Sequence, residues 1–115
     1  MTGEYRLSET AAQDIANIHT YSQTRWGEEK ANQYVEAIYR ALEKLAARPD
    51  RSISRDKRSA PFRMIAIRQH FALYEVLNGD VIVLTIMHQA QNVEKHVARL
   101  TPAFETLIAR MMKAR

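Results

Sequence analysis

Cysteine is absent from this sequence of 115 residues, which excludes a disulfide framework, a thiolate zinc site and a cysteine nucleophile. Glycine and proline are scarce, with three of each, so the composition is not that of a low-complexity linker. No apolar run approaches the roughly 18 residues that a membrane-spanning helix needs. The first residues, MTGEYRLSE, have neither the basic start nor the apolar core of a signal peptide. We therefore expect a cytoplasmic protein without a membrane segment.

The residues that are present indicate one globular domain over residues 1–115. Hydrophobic residues make up 46% of the chain and charged residues 26%, as in ordinary soluble domains. The net charge is only +4, but the window 48–68 alone contains seven basic and two acidic residues. Such a window indicates an acidic or nucleic-acid partner, or a solvated loop whose charges prevent aggregation, and both interpretations stay open. Its candidate contact residues are Arg51, Arg55, Lys57, Arg58, Arg63 and Arg68.

Two helices are predicted in the first half of the chain. Apolar residues recur at spacings of three and four over residues 9–24, behind a serine that is suited to cap the helix. Gly27 then interrupts the pattern, and Trp26 beside it is expected to fold over the helix end. A second helical pattern over residues 28–47 ends just before a proline. So short a connection predicts an antiparallel helix hairpin.

A change of apolar period predicts strands in the second half. The predicted strands span residues 62–68, 71–77 and 81–88. Asn78 and Gly79 form a strong hairpin signal, and as the central residues of a two-residue turn they pair Tyr74 with Val83. The last strand is almost wholly apolar, which predicts a central position. With a short edge strand over residues 4–7, the fold class is α+β, with the helix hairpin on one side of a four-stranded sheet.

The C-terminal residues predict further helix. A helix begins near Val93, and Pro102 is suited to the first turn of a separate last helix that Thr101 would cap. We place the core of the domain at about residues 4–97 and a helical extension at about 98–115. The extension has one apolar side, which either docks on the sheet or pairs with another chain, and we prefer docking within the toxin or its antitoxin complex. That side contains Phe104, Leu107, Ile108 and Met111.

In this order the motifs resemble the ParE branch of the RelE/ParE toxins over about residues 4–97. The resemblance rests on YRLSETAAQDIANIHTY, WGEEKANQYVEAI, LAARPDRS, FRMIAIRQHFALYEV and IMHQAQNVEKHV. It implies the fold already predicted for a single toxin domain, inhibition of DNA gyrase by binding, and a ParD-like antitoxin encoded alongside. The antitoxin would be a ribbon-helix-helix dimer, so that operator DNA is bound only through it. No cofactor or metal is implied.

RelE-like relatives are ribosome-dependent ribonucleases, which cleave RNA with basic side chains and a general acid or base. By resemblance they carry an arginine on the strand before the hairpin, where this chain has an uncharged Ala-Leu pair. They often carry another after the last strand's histidine, where this chain has Ala90. Many ParE-like members also have HQRMD where this chain has HQAQN. The missing cations favour a gyrase inhibitor with no catalytic residues. The alternatives are a ribonuclease that uses Arg63, Arg68 and His88, and a non-toxic module that retains only antitoxin affinity.

His88 ends the last predicted strand and has three interpretations. A general base needs an orienting partner and a nearby cation, and a metal ligand needs companions that the spacing of the other histidines does not supply. A strand-end imidazole that bonds a neighbouring group needs neither, and we prefer this interpretation. Together with Trp26 and Gln89, His88 is predicted to lie on a partner-binding surface. Arg63 and Arg68 have opposite parity on their strand, so one of them should lie on an open face of the sheet.

Overall fold

The computed structural model describes residues 4–48, 62–90 and 93–113. The elements within these ranges are β1 (Tyr5–Leu7), α1 (Glu9–Trp26), α2 (Glu28–Ala47), β2 (Arg63–Ile67), β3 (His70–Leu77), β4 (Asp80–His88) and α3 (Val93–Lys113). The four strands form one sheet in the order β1-β4-β3-β2, in which β1 is parallel to β4 and the other neighbours are antiparallel. The predicted α+β architecture is confirmed, and β4 is central as its apolar sequence indicated.

The helix hairpin begins and turns where short-range chemistry predicts. The Ser8 hydroxyl accepts a hydrogen bond from the Ala11 amide at 3.0 Å and donates one to the Leu84 carbonyl at 2.8 Å, so the N-cap also ties α1 to the sheet. α1 continues to Trp26, two residues past its predicted end. It stops there because Gly27 takes φ 95° and ψ 165°, a conformation that is essentially open only to glycine. α2 has the predicted bounds.

The β3–β4 hairpin fixes the register of the sheet. Asn78 and Gly79 both have positive φ, at 52° and 85°, as a two-residue turn of this type requires. Tyr74 pairs with Val83, as predicted from the turn. Beyond this pair a β-bulge makes Leu84 an extra residue of β4, so the next pair is Leu73 with Thr85.

Both faces of the sheet are covered. The helix hairpin buries one face, where Ile38 and Leu42 of α2 pack near Tyr74 of β3. α3 covers the other face, where Phe104 packs in a cluster with Leu73 and further apolar residues of the sheet. The predicted docking of the C-terminal extension on the sheet is thus confirmed. The expectation of an open face is wrong because α3 occupies it.

α3 is one continuous helix, so the predicted break at Thr101 and Pro102 is wrong. A proline within a helix removes one backbone hydrogen bond and crowds the preceding turn. The helix continues nevertheless because its apolar side is anchored to the sheet on both sides of the proline, through Leu100 before it and Phe104 and Leu107 after it. Within the described ranges, none of the helices combines the length and the hydropathy that a membrane span requires.

Candidate partner-binding cleft

A cleft of about 760 Å³ opens beside the C-terminal half of α1. It lies where this half of α1 faces Tyr34 of α2, the β2–β3 turn and the end of β4. Clefts of this size accommodate a small ligand or a few side chains of a partner. The cleft is lined by Asp14, Asn17, Ile18, Tyr21, Ser22, Trp26, Tyr34, Gln69, His70, Ile86, His88 and Ala90.

The β-bulge determines which histidines meet in this cleft. If the register of the turn continued without interruption, His70 would lie opposite Met87. The extra residue of β4 shifts the pairing by one, so His70 lies opposite His88 and their ring centroids are 5.0 Å apart. Because opposite residues of an antiparallel pair point to the same face, both imidazoles line the cleft.

Asp14 of α1 holds the bulge. Its Oδ2 accepts hydrogen bonds from the Thr85 hydroxyl at 2.6 Å and from the Ile86 amide at 2.9 Å. Bonds to a charged acceptor are stronger than neutral ones, and these two join α1 to the residues that directly follow the bulge. Asp14 therefore positions the histidine pair although it is 71 residues away from Thr85 in sequence.

Tyr34 and His70 form a half-buried polar contact in the cleft. The Tyr34 hydroxyl lies 2.6 Å from Nδ1 of His70 and accepts a hydrogen bond from the Gln69 amide at 3.2 Å. Burial raises the pKa of the Tyr34 hydroxyl, which therefore keeps its proton. Burial, together with the neighbouring His88, lowers the pKa of His70 to about 4. At neutral pH the contact is thus a tyrosine donating to a neutral imidazole, whose other nitrogen carries the proton.

His88 lies at the open side of the cleft. Its Nδ1 accepts a hydrogen bond from the Ala90 amide at 2.9 Å, so in the neutral form Nε2 carries the proton. The side chain is exposed, and its contact with a backbone group agrees with the preferred interpretation of a strand-end imidazole. Because Nδ1 is already an acceptor, a neutral His88 does not also offer Nε2 as a metal ligand. Among the described residues no group of three or more histidine, aspartate or glutamate side chains is arranged to bind a metal ion.

Two aromatic rings form the rim of the cleft near the hairpin turn. Tyr21 and Trp26 are 57% and 51% exposed, and their rings meet edge to face with centroids 6.1 Å apart. The Arg25 guanidinium lies over both rings, at 5.5 and 5.7 Å from their centroids. Trp26 therefore packs on its neighbours, as expected for a residue at the helix end, and still presents half of its surface to a partner. Exposed aromatic residues of this kind are frequent anchors of protein interfaces.

Arg63 and Arg68, the two described cations that were predicted to contact a partner, do not line this cleft. Arg63 is on β2 and pairs with Tyr74, on the face that the helix hairpin covers. Arg68 is not on the strand: it lies in the β2–β3 turn with φ 54°, so the parity argument does not apply to it. The amide of Gln89 donates to the Gln69 carbonyl, and its side chain donates to the Arg68 carbonyl at 2.9 Å. The predicted contacts Arg51, Arg55, Lys57 and Arg58 lie outside the described residues.

Comparisons with known proteins place this chain in a family. The family model described as ParE toxin of type II toxin–antitoxin system, parDE, matches residues 5–93. The chain belongs to the ParE toxin family. The toxin ParE1 of Caulobacter vibrioides is 32% identical over 93 residues, which cover 81% of this chain and 96% of that toxin. The toxin ParE1 of Mycobacterium tuberculosis is 26% identical over 98 residues, which cover 84% of this chain and all of that toxin.

Solved structures agree on the fold of this ParE family member. A chain from the chromosomal ParDE toxin–antitoxin system of P. aeruginosa matches with a TM-score of 0.65 and 20% identity, over 76% of this chain and 96% of that one. A chain of the RelBE2 toxin–antitoxin complex from Mycobacterium tuberculosis matches with a TM-score of 0.56 and 16% identity, over 79% and 95% of the two chains. The resemblance inferred from the sequence motifs is therefore confirmed at the level of family and fold.

Three residues that organise the cleft of this ParE family member were missed from sequence. His70 and Tyr34 are separated by 36 positions, and only the bulge brings His70 to His88. A bulge shifts the alternation of apolar and polar residues along a strand. VIVLTIMH is apolar almost throughout, so its sequence shows no such shift. Asp14 did leave a signal: it stands three residues after the buried Ala11 and four before the half-buried Ile18, so this carboxylate falls on the buried stripe of α1, where it needs a partner.

The stability of this ParE family member should fall as His70 is forced to take a proton. The folded-state pKa of His70, about 4, is below the ordinary value of 6.5, so the unfolded chain binds the proton first. The free energy of unfolding therefore has its full value above about pH 6.5 and decreases as the pH falls towards about 4. Because His70 is half-buried and partly screened by solvent, we expect a loss of about 1–2 kcal/mol. Urea unfolding over this pH range measures it.

His70→Gln should remove this part of the pH dependence. His19→Gln is the matched control, since His19 bonds Asn32 within the helix hairpin and lies outside the cleft. The explanation is wrong if His70→Gln and the unmodified protein lose stability in parallel over the acidic range.

Proposed function

We propose that this chain is a cytoplasmic toxin that inhibits DNA gyrase by binding it, and that a ParD-like antitoxin neutralises it. The observation that carries the proposal is the match of residues 5–93 to the ParE toxin family. The exposed Tyr21–Trp26 rim and the cleft behind it provide a surface of the aromatic kind that protein partners use as an anchor. Binding alone accounts for toxicity in this proposal, without a chemical step.

The charges of the cleft support binding rather than RNA cleavage. Cleavage of a phosphodiester places extra negative charge on the phosphate, which ribonucleases stabilise with cations held nearby. Arg25 lies over the two rim rings, but none of the described residues that line the cleft is an arginine or a lysine, and Asp14 contributes a negative charge. His70 is neutral at physiological pH, since its pKa is lowered to about 4.

The residues of the ribonuclease alternative are not gathered in one place. Arg63 lies four residues along β2 from Ile67, which pairs with His70, and His70 in turn pairs with His88. Strand geometry then separates the Cα atoms of Arg63 and His88 by roughly 16 Å. Arg68 is nearer, but its side chain lines a different groove, beside α2. In a ribonuclease site, the general acid or base and the cation that stabilises the developing charge must both lie within hydrogen-bond distance of the same phosphate.

The proposal of an antitoxin partner is supported by the systems from which the similar structures come. The similar chains from P. aeruginosa and Mycobacterium tuberculosis come from structures described as a ParDE system and a RelBE2 toxin–antitoxin complex. We propose that the antitoxin of this chain is a ribbon-helix-helix dimer that covers the toxin, and that the complex reaches operator DNA only through the antitoxin. An acidic or amphipathic open reading frame directly upstream of the toxin gene would support the pairing.

A gyrase supercoiling assay with purified toxin tests the proposal. We expect micromolar toxin to inhibit supercoiling of relaxed plasmid, and equimolar antitoxin to restore it. The proposal is overturned if supercoiling is unaffected at these concentrations. If expression without antitoxin also leaves growth unchanged, the chain is a binding module rather than a toxin.

The ribonuclease alternative is kept because the fold is shared with a RelBE2 chain and because Tyr34, His70 and His88 are able to move protons. It predicts codon-linked cleavage of mRNA in a translating extract, and loss of that cleavage in His88→Ala. Intact transcripts at a toxin concentration that arrests growth exclude it.

Trp26→Ala should weaken inhibition of gyrase about thirtyfold or more, because truncation of an aromatic anchor typically costs at least about 2 kcal/mol of binding free energy. The fold should be retained, since the side chain is 51% exposed. Met112→Ala is the control: it removes a side chain that is 62% exposed on α3, away from the cleft. The toxin concentration for half-maximal inhibition of supercoiling measures the effect. Equal values for the two variants would show that the rim is not a gyrase contact.

A further inference from the structure

The solvent-facing side of α3 carries a row of four cations, which we call the α3 basic row: Lys95, Arg99, Arg110 and Lys113. All four residues are exposed. The geometry of an α-helix places them within a sector of roughly 60° around the helix axis and along roughly 27 Å of its length. The row consists of two basic pairs, and Arg99 of the first pair is separated from Arg110 of the second by roughly 16 Å along the axis.

The surface between the two pairs consists of small side chains. Pro102, Thr106 and Ala109 lie on the same side of α3 as the row, and all three are exposed. The Thr106 hydroxyl donates to the Pro102 carbonyl at 3.0 Å, so this side chain lies against its own helix. Among the side chains of α3 that the structure describes, Glu105 is acidic, and it lies roughly 80° around the helix from the nearest cation of the row. A long partner surface can therefore contact both pairs at once.

The helix dipole explains only one of the two pairs. Cations in the last turn of a helix are favoured by the dipole, which accounts for Arg110 and Lys113. Lys95 lies in the first turn, where the dipole disfavours a cation. Arg99 repeats the charge four residues later, at a spacing where like charges repel each other. Because α3 gains nothing from the dipole or from the spacing of this first pair, the pair indicates a role outside the helix.

Membership of the ParE toxin family does not account for the α3 basic row either. The match to the family ends at residue 93, the first residue of α3, so all four cations lie beyond it. Leu100, Phe104 and Leu107 pack with the apolar cluster of the sheet and hold α3 in one orientation. A row on a docked helix loses less freedom when a partner binds than a row on a mobile segment does.

We infer that the α3 basic row binds the phosphate backbone of double-stranded DNA. This inference goes beyond the proposed function, since it needs neither gyrase nor an antitoxin. Double-stranded DNA carries one charge per about 1.7 Å of its axis, so a row of this length faces several phosphates. The spacing of the two pairs and the reach of their side chains allow contacts on both sides of a major groove, which is about 12 Å wide. Such contacts carry no sequence information, so recognition of the operator stays with the antitoxin.

The composition of this surface favours DNA over a protein or a membrane. A protein interface has apolar or aromatic anchors at its centre, whereas the centre of the row has only Pro102, Thr106 and Ala109. An amphipathic helix binds a membrane through its apolar side, which α3 uses to dock on the sheet. Protein–DNA interfaces are more polar and more positively charged than protein–protein interfaces, as this surface is.

Titration of a fluorescein-labelled DNA duplex with the full chain tests the inference, with fluorescence anisotropy as the readout. The titration is repeated at several salt concentrations, because neutralised phosphates release counterions. We expect micromolar affinity at low salt and a slope of about −3 to −4 when the logarithm of the binding constant is plotted against that of the salt concentration. This slope corresponds to about four phosphate contacts, each of which contributes about −0.9.

Two variants remove one pair each. They are Lys95→Gln with Arg99→Gln, and Arg110→Gln with Lys113→Gln. Each variant should bind the DNA duplex at least about tenfold more weakly, with a slope that is smaller by about two. Glutamine forms helices about as well as lysine and arginine do, so α3 should be retained, and circular dichroism checks it.

Lys30→Gln with Lys44→Gln is the matched control. It removes the same charge from exposed positions of α2, which covers the opposite face of the sheet. Its affinity for DNA should stay within about threefold of that of the unmodified chain.

The outcomes decide the inference without reference to gyrase. A pair variant that binds DNA as tightly as the control, or an unmodified chain whose affinity does not depend on salt, overturns it. Tighter binding of an RNA duplex of the same sequence also overturns it, because the row would then belong to an RNA partner. Failure of the unmodified toxin to inhibit supercoiling overturns the proposed function alone, since the titrations contain no gyrase.

Discussion

Asp14→Ala is expected to lower the free energy of unfolding by about 2–4 kcal/mol, because it removes a charged acceptor and leaves two donors without it. The donors are the Thr85 hydroxyl and the Ile86 amide, at 2.6 and 2.9 Å from the same carboxylate oxygen. Thr85 is buried, with 1% of its surface exposed, so its hydroxyl has little access to water as a substitute partner. Urea unfolding followed by circular dichroism measures the loss.

Two controls isolate the role of Asp14. Gln13→Ala removes an exposed neighbour on α1 that bonds only Asn17, and should change stability by less than about 0.5 kcal/mol. Thr85→Val removes one of the two donors together with its need for a partner, so it should cost clearly less than Asp14→Ala. If Asp14→Ala unfolds at the same urea concentration as Gln13→Ala, the carboxylate does not hold the bulge.

Phe104→Ala should lower the free energy of unfolding by about 3–4 kcal/mol, as is typical when a buried aromatic side chain is truncated. Phe104 is 3% exposed, and its ring meets Phe62 edge to face with centroids 5.8 Å apart. It lies two residues after Pro102, which weakens the helix locally, so α3 depends on this anchor more than an uninterrupted helix would. Thermal and urea unfolding both measure the effect.

Met112→Ala is the matched control for Phe104, since it truncates a side chain of the same helix that is 62% exposed. It should change the unfolding free energy by less than about 0.5 kcal/mol. A difference between the two variants of under about 1 kcal/mol would mean that α3 does not depend on its contact with the sheet.

Local signals in the sequence were sufficient for most of the fold. The Ser8 cap, Gly27 and the Asn78-Gly79 turn act over a few residues, and each element they delimit lies within one or two residues of its predicted bounds. The prediction failed at Pro102, where packing of α3 on the sheet overrides the local preference of a proline to end a helix.

The site was less predictable than the fold, because it depends on long-range contacts. Trp26 and His88 were selected from sequence and do line one cleft. Tyr34 and His70 were not selected, since their meeting depends on a bulge held by a carboxylate of α1. Arg68 was selected as a partner contact on a strand, but the sequence did not show that it lies in the β2–β3 turn, beside Arg40 and Lys44 of α2.

The short β1 strand has a consequence for self-association. β1 pairs with β4 only at Val81, Ile82 and Val83, so the later residues of β4 have no strand neighbour on that side among the described residues. Such an edge invites a strand from a second molecule, which would need the Ile86 amide as a donor. The Asp14 carboxylate already accepts from that amide. The side chain that holds the bulge therefore also occupies a donor that the strand of a second molecule would need.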